Sequence, residues 1–300
     1  MTEADALRAQ LEPYPGFSVI DSADGLPIIV IEHAGLRASI TPQGAQLLEF
    51  QPAGQPPLLW CSAQARYQPG KAVRGGIPLC WPWFGPHPGD ATQPAHGFAR
   101  VLPWQLAQVE VAADSVSVAF VLRDSAVCRA IWPHAFELSL CYRLGRELQL
   151  DFSVTNRGTT PAGMSYALHS YFPVSDIADT AVDGLDGVSY IDQLDAMARK
   201  LQHGAVRFAD EVDRMYVGAG GDYLIHDQAG GRRIHLQAHG CASAVVWNPW
   251  IDKARRLADM GDDEYRQMLC VECGNVADDT LMLAPGASHH ARLAISGAAG

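Results

Sequence analysis

Two side chains that could move protons at neutral pH lie inside segments that are otherwise typical of β-strands. The first is His169, in SYALHSYFPV (165–174). Side chains alternate between the faces of a strand, so His169 would share a face with Ser165 and Tyr171 while Leu168 faces a core. A lone histidine in a strand is more often a hydrogen-bonded structural residue than a proton donor. This stretch alone leaves both roles open.

The second is Glu272, in the apolar run MLCVECGNV (268–276). The run predicts a buried strand, in which Glu272 shares a face with Cys270 and Gly274. Fully buried carboxylates are rare unless they are paired or functional, so Glu272 is a candidate proton acceptor. The structural alternative is an ion pair with one of three arginines nearby in the sequence, Arg255, Arg256 or Arg266.

A third candidate is the segment KAVRGGIPLCWPWFGPHPGDATQPAHGFAR (71–100). Glycine and proline make it mostly irregular, and a long aromatic-rich loop in a globular domain is more often a binding loop than a simple connection. The alternative is a loop packed by its own aromatic residues, and we expect core packing for at least two of Trp81, Trp83 and Phe84. Its basic and histidine side chains are Lys71, Arg74, His87, His96 and Arg100.

Metal and redox chemistry are not predicted. Cys270 and Cys273 form a CxxC, but residues an odd number apart face opposite ways in a strand, and no second cysteine pair has metal-ligand spacing. His289 and His290 lack an obvious third ligand in the sequence, and no glycine-rich phosphate loop precedes a helix. We therefore expect neither a metal nor another cofactor.

Charge and composition narrow the class of partner and the compartment. The formal net charge of −11 argues against nucleic acid and anionic membrane surfaces as partners, so an anionic substrate would need a local cationic site. The seven cysteines are scattered, the N-terminus lacks the apolar segment of a signal peptide, and no apolar run is long enough to span a membrane. These features predict a reduced, cytoplasmic protein.

The elements that must position these residues are mostly strands. Apolar and polar residues alternate over 115–124, over 136–156 on both sides of a turn at Gly145, and over 232–249. Helical periods are confined to the first eleven residues and to 192–202. Many closely spaced strands with few helices predict an all-β sandwich or barrel, and we expect one domain over 1–300, leaving the order of residues 1–15 open.

Six motifs, in order, carry a resemblance to a known family: VRGGIPLCWPWFGP, PAHGFAR, LHSYFPVSD, EVDRMYVG, VVWNPW and GDDEYRQMLCVECGNV. Over residues 72–276 the chain resembles the hexose-6-phosphate mutarotase (glucose-6-phosphate 1-epimerase) branch of the aldose 1-epimerase superfamily. The resemblance implies a large antiparallel β-supersandwich. It also implies a small-molecule hexose phosphate as substrate and no cofactor, and we expect a monomer.

The resemblance assigns roles to six residues. It implies that His169 is the catalytic acid and Glu272 the catalytic base. It implies that Arg74 and Arg100 hold the sugar phosphate, and that His96 and Asp213 line the sugar site.

Anomer interconversion needs an acid and a base in opposite protonation states. The sugar ring opens when a base takes the C1 hydroxyl proton and an acid protonates O5, and it closes on the other face by the reverse steps. An ionised Glu272 with a protonated His169 would fit this chemistry at neutral pH. Two alternatives stay open: an aldose 1-epimerase that acts on free sugars such as galactose, and a non-catalytic module that binds sugar phosphates.

Overall fold

The computed structural model describes residues 2–300. Within them, three α-helices, four 3-10 helices and 23 strands form. The α-helices are α1 (Glu3–Leu11), α2 (Ala126–Ile131) and α3 (Trp250–Ala254), and the 3-10 helices are Ala99–Val101, Ile177–Asp179, Glu264–Gln267 and Ala277–Asp279. The strands are β1 (Phe17–Asp21), β2 (Pro27–His33), β3 (Leu36–Thr41), β4 (Gln46–Gln51), β5 (Leu79–Cys80), β6 (Gln105–Val111), β7 (Val116–Arg123), β8 (Phe136–Leu144), β9 (Leu148–Asn156), β10 (Ala162–Met164), β11 (Tyr166–Leu168), β12 (Tyr171–Pro173), β13 (Thr180–Asp183), β14 (Ser189–Asp192), β15 (Ala198–Leu201), β16 (Val206–Arg207), β17 (Val212–Val217), β18 (Asp222–Asp227), β19 (Arg232–His239), β20 (Ser243–Asn248), β21 (Met268–Asn275), β22 (Leu281–Leu283) and β23 (Ser288–Ala299).

The named strands form four antiparallel sheets. A nine-stranded sheet has the order β16-β13-β18-β19-β23-β9-β8-β7-β6, and an eight-stranded sheet has the order β15-β14-β17-β20-β21-β11-β5, with β12 also paired to β21. Two smaller sheets have the orders β1-β2-β3-β4 and β10-β22. The predicted antiparallel β-sandwich is therefore confirmed.

The two large sheets bury one side each in a common apolar cluster. Burial alternates along β8 and β9, as the sequence over 136–156 predicts. Leu138 and Leu150 of the nine-stranded sheet belong to the same cluster as Val246 and Val271 of the eight-stranded sheet. The other side of the eight-stranded sheet is therefore the one available for a site.

Strand register places chemistry-bearing residues in adjacent rows on that other side. Directly paired residues of neighbouring strands share a face. One row runs Ile191, Met215, Val245, Glu272. The next row runs Asp213, Trp247, Cys270, Tyr171.

The chain is not a continuous strand over 165–174, which corrects the sequence-based expectation. It leaves the sheet at His169 and Ser170, between β11 and β12, and both of these strands pair with β21 in the same register. His169 therefore lies opposite Glu272. The Ser170 N–H donates to the Leu168 carbonyl at 2.8 Å, and the His169 N–H donates to the Pro78 carbonyl at 3.0 Å.

The predicted helix at the N-terminus is confirmed over residues 3–11, while Met1 lies outside the described residues. The Thr2 hydroxyl accepts from the Asp5 N–H, and the Asp5 carboxylate accepts from the Thr2 N–H, which together form a capping box. Leu7 and Leu11 pack into the main core.

The predicted helix over 192–202 is wrong, because β14, a turn and β15 occupy this segment. The Asp192 carboxylate accepts from the Leu194 N–H at 3.0 Å, and the Ala198 N–H donates to the Asp195 carbonyl at 2.8 Å. These bonds turn the chain back, so that β15 pairs with β14 at the sheet edge.

None of the helices among residues 2–300 is long and apolar enough to cross a membrane. The cytoplasmic location and the monomeric state stay predictions.

Candidate active site

A pocket of about 280 Å³ opens on the outer side of the eight-stranded sheet, with His169 and Glu272 in its wall. This volume is close to the lower limit for ligand pockets, which suits a small ligand. The other lining residues are Arg74, Phe84, Gly85, Pro86, Ala95, His96, Gln193, Asp213, Trp247, Lys253 and Leu257. Of the six residues predicted from sequence, five therefore line one pocket.

His169 and Glu272 face each other directly. His169 Nε2 lies 3.4 Å from Glu272 Oε1, and both side chains are buried. His169 Nδ1 and Glu272 Oε2 are buried with no hydrogen-bond partner, so two polar atoms of the pair are left for a ligand. No arginine among the described residues lies within ion-pair distance of Glu272, so the structural alternative of an arginine partner is wrong.

A stack of aromatic rings holds His169 in place. The imidazole lies parallel to the Tyr171 ring, with centroids 4.8 Å apart and an interplanar angle of 9°. Trp60 stacks on Tyr171 with centroids 5.8 Å apart, and the Trp247 ring lies nearly perpendicular to the rings of His169 and Tyr171, with centroids 6.2 Å from each. The imidazole orientation is therefore fixed by packing.

Arg74 projects from a tightly packed turn. Its guanidinium contacts Asp259 Oδ1 at 3.1 Å through Nη2 and at 3.3 Å through Nε, and it donates to the Tyr171 hydroxyl at 3.2 Å through Nη1. Gly76, two residues after Arg74, has φ of 61°, and a Cβ at this position would lie 2.1 Å from the Leu47 carbonyl oxygen. The local sequence RGG thus lets the chain cross β4 while Arg74 reaches the pocket.

Arg100 lies beside the pocket wall but is not one of the lining residues. Its Nη2 donates to the carbonyl oxygen of Ala95, a lining residue, at 2.9 Å, and its Nε is buried without a partner. Within residues 2–300 no carboxylate lies within 4.0 Å of this guanidinium, whereas Arg74 and Lys253 are both ion-paired. Arg100 is therefore a cation near the pocket without an ion-pair partner among residues 2–300.

His96 enters the pocket from a strained turn. Its φ of 62° is left-handed, and its N–H donates to the Gly85 carbonyl at 2.7 Å. The next residue, Gly97, has φ of 71°, and a Cβ there would lie 1.9 Å from the Trp81 carbonyl oxygen. The His96 ring approaches Phe84 at 4.8 Å and His169 at 5.9 Å between centroids.

Asp213 forms the opposite wall with residues that the sequence did not indicate. One carboxylate oxygen accepts from the Gln193 side chain, and the other lies 3.5 Å from Lys253 Nζ. Lys253 also pairs with Glu211 at 2.9 Å and lies over the Trp247 ring. Gln193 was missed because it lies in the segment 192–202, which the sequence wrongly predicted to be a helix. For Lys253, nothing in the sequence other than its charge indicated a place in the site.

The side chains of the aromatic-rich segment 71–100 have different roles. Trp81 and Trp83 are buried in the main core, as expected for at least two of the three aromatic residues, while Phe84 lines the pocket. Lys71 is exposed and lies outside the pocket. His87 packs edge-on against Trp83 and accepts from backbone N–H groups of its own loop, which is a structural role.

Comparison with known proteins identifies the family of the chain. The family model for aldose 1-epimerase matches residues 27–296. The chain belongs to the aldose 1-epimerase family. An Escherichia coli K12 protein named "putative glucose-6-phosphate 1-epimerase" is 39% identical over 250 residues, which cover 83% of this chain and 83% of that protein. A Cenchrus ciliaris protein of the same name is 36% identical over 295 residues, which cover 95% of this chain and 88% of that protein. A solved Salmonella typhimurium structure, described as a "putative mutarotase", has a TM-score of 0.87 at 32% identity and covers 97% of this chain and 100% of that one.

Burial governs the protonation of the central pair in this aldose 1-epimerase family member. Loss of hydration lowers the pKa of His169 well below its usual value, and the nearby His96, Arg100 and Arg74 lower it further. Burial raises the pKa of Glu272 well above its usual value, Asp213 raises it further, and Arg100 opposes the shift. The protein surroundings of the pair therefore disfavour the ionised Glu272 and protonated His169 expected from the sequence, and they favour one proton on the carboxyl.

His96 should make the family member less stable in mild acid. Burial, together with Arg100 and Arg74, lowers the pKa of His96 to about 3. Below about pH 6.5 the unfolded chain binds a proton at this position that the folded chain does not, so the free energy of unfolding decreases as the pH decreases. The lowered pKa of His169 and the raised pKa of Glu272 have opposite effects on this slope, because the first favours proton binding by the unfolded chain and the second favours proton binding by the folded chain.

We expect His96→Asn to reduce this loss. Asparagine tolerates the left-handed backbone and does not titrate. As the pH falls from 6.5 to 4.5, the free energy of unfolding of the variant should therefore decrease less steeply than that of the wild type. The difference between the two slopes should be about 1 kcal/mol per pH unit. Urea unfolding at several pH values measures both slopes. Replacing the exposed His203 with asparagine is the control and should leave the slope unchanged. Equal slopes for His96→Asn and the wild type would contradict the prediction.

Proposed function

We propose that this protein interconverts the α and β anomers of a hexose 6-phosphate, with glucose 6-phosphate as the default substrate. The observation that carries the proposal is the buried pair of His169 and Glu272, 3.4 Å apart, in a pocket whose surroundings include the cations Arg74 and Arg100. The names of the Escherichia coli and Cenchrus ciliaris relatives support the phosphate-bearing substrate.

Ring opening uses the pair as base and acid. Glu272 takes the proton of the C1 hydroxyl, the C1–O5 bond breaks to leave an aldehyde at C1, and His169 donates a proton to O5. Rotation about the C1–C2 bond presents the other face of the aldehyde to O5, and both proton transfers then reverse. The pair carries one proton before and after each half of the reaction, so the cycle closes without a further proton donor.

The substrate phosphate would itself help to place that proton. Arg74 and Arg100 lower the pKa of His169. A phosphate dianion bound between these guanidinium groups offsets their charge, and this raises the pKa of His169 towards its usual value. Binding of the phosphorylated sugar therefore favours the protonated imidazole that O5 requires, which a free sugar does not do.

The other residues of the pocket have binding roles in this proposal. Asp213 is held by Gln193 and Lys253 and would accept hydrogen bonds from sugar hydroxyl groups, and His96 would contact the sugar beside His169. Trp247 offers an apolar surface on the same wall of the pocket.

Anomer exchange measured by NMR on glucose 6-phosphate, glucose and galactose tests the proposal. Catalysed exchange on the phosphate with slow exchange on both free sugars is the expected result. Faster exchange on free galactose would instead favour an epimerase of free sugars. Binding of glucose 6-phosphate without catalysed exchange on any of the three would favour a non-catalytic binding module.

A further inference from the structure

The guanidinium of Arg74 is held on two sides by protein side chains. Arginine has five N–H groups: one on Nε and two on each terminal nitrogen. Asp259 Oδ1 accepts from Nε at 3.3 Å and from Nη2 at 3.1 Å, and the Tyr171 hydroxyl accepts from Nη1 at 3.2 Å. These contacts use three N–H groups and leave one on Nη1 and one on Nη2.

The two remaining N–H groups lie on different terminal nitrogens, and an arginine can bind two phosphate oxygens side by side through one N–H on each. Of the side chains that hold the guanidinium, one is fully buried and the other is partly buried. Tyr171 is buried in the stack with His169 and Trp60, and Asp259 is only 26% exposed and lies two residues after Leu257, which lines the pocket. The guanidinium fork, meaning the two terminal nitrogens of Arg74 with their remaining N–H groups, is therefore fixed by protein contacts. It can bind a phosphate with little loss of side-chain entropy.

We propose that Asp259, together with the Tyr171 hydroxyl, is a positioning residue that sets the phosphate-binding orientation of Arg74 and thereby contributes to selection of phosphorylated over free hexoses. This inference rests on the proposed function, because it assumes that Arg74 contacts the phosphate. Asp259 acts through Arg74 and does not itself touch the substrate, since a carboxylate beside a phosphate dianion would repel it.

The charge and the hydrogen-bonding geometry of Asp259 have opposite effects on phosphate affinity, and this makes them separable. As an anion near the phosphate site, Asp259 weakens attraction for the substrate. As an acceptor, it keeps the fork in place. Asparagine retains an acceptor oxygen and removes the charge, whereas alanine removes both.

The test compares Asp259→Asn, Asp259→Ala and Tyr171→Phe by NMR anomer exchange on glucose 6-phosphate and on glucose. We expect Asp259→Ala to raise KM for glucose 6-phosphate about tenfold, as for one loosened charge-assisted contact, with kcat nearly unchanged and no change in kcat/KM for glucose. Asp259→Asn should have a KM equal to or below that of the wild type. Tyr171→Phe, which keeps the ring stack, should raise KM for the phosphate less than Asp259→Ala does.

Three outcomes would overturn the inference. A lower KM in both Asp259 variants would mean that the carboxylate acts only by repulsion. A loss in Asp259→Asn as large as in Asp259→Ala, or equal changes on both sugars, would mean a structural role. Asp151→Ala is the matched control, because Asp151 also accepts from an arginine Nε but lies in the nine-stranded sheet. It should leave both sugars unaffected.

Arg74→Gln distinguishes failure of this inference from failure of the proposed function. If Arg74→Gln raises KM for glucose 6-phosphate and Asp259→Ala does not, only the positioning role is wrong. If Arg74→Gln leaves that KM unchanged, the assumed contact between Arg74 and the phosphate is wrong, and with it both the inference and this part of the proposed function.

Discussion

Replacing Glu272 with glutamine should lower kcat for anomer exchange of glucose 6-phosphate by about 10²–10⁴-fold, the usual contribution of a general base. Glutamine has nearly the same shape and cannot take the C1 hydroxyl proton. NMR exchange at saturating substrate measures the loss. His169→Asn, which removes the acid, should lose a similar factor, and the double variant should be little worse than either, because the two residues act as a unit.

Glu272→Gln should not destabilise the fold, and this expectation separates a catalytic role of Glu272 from a structural one. Burial raises the pKa of Glu272 above its usual value. As the pH rises past about 4.5, the unfolded chain releases this proton before the folded chain does, so the wild type loses stability. Glutamine has no proton to lose. At pH 8, Glu272→Gln should therefore unfold at the same or a higher urea concentration than the wild type.

Near-normal turnover in folded Glu272→Gln would contradict the assignment of the base. Marked destabilisation at pH 8 would contradict the electrostatic account of the pair. Glu137→Gln is a matched control, because Glu137 pairs with surface arginines on the nine-stranded sheet. It should retain full activity.

The sequence predicted well those strands whose two faces differ. In β8 and β9 every second residue faces the common core, so the period of two over 136–156 reports the structure directly. It predicted β21 from its apolar run, because both faces of this strand are covered. For such strands, burial produces either a period of two or a continuous apolar run in the sequence.

The segment over 192–202 shows where the pattern misleads. Leu194, Met197 and Leu201 have helical spacing, yet all three are about half exposed on the β14–β15 hairpin. Pairing of β14 with β17 decides the local structure, and the partner strand lies more than ten residues away in the chain. Local periodicity contains no information on this pairing, so a helix was the wrong conclusion and Gln193 was missed.

The site shows a similar division. Side-chain types and the family resemblance indicated His169 and Glu272, but not that the chain leaves the sheet at His169 or that the two face each other across strand register. The contact of Asp259 with Arg74 spans 185 residues of sequence. Contacts of this kind, and the burial that shifts the pKa values of the pair, follow from the assembled fold.

Arg100→Gln should raise KM for glucose 6-phosphate by about 10- to 100-fold, as expected for loss of a charge-assisted contact worth about 1.5–3 kcal/mol. Arg100 is a cation beside the pocket that has no carboxylate within 4.0 Å among residues 2–300, and its buried Nε has no partner. It should therefore contribute strongly to attraction of a dianion in a chain of net charge −11. KM and kcat for glucose 6-phosphate, with kcat/KM for glucose, measure the effect.

A second effect of Arg100→Gln should appear in the pH profile and should be common to both sugars. Arg100 lowers the pKa of Glu272, so its loss should move the acid limb of kcat to higher pH. The KM change, in contrast, should be confined to the phosphorylated sugar. Arg123→Gln, at an exposed ion pair on the nine-stranded sheet, is the control and should change neither quantity. Equal losses of kcat/KM on both sugars would mean that Arg100 supports the Ala95 loop and does not select the phosphate.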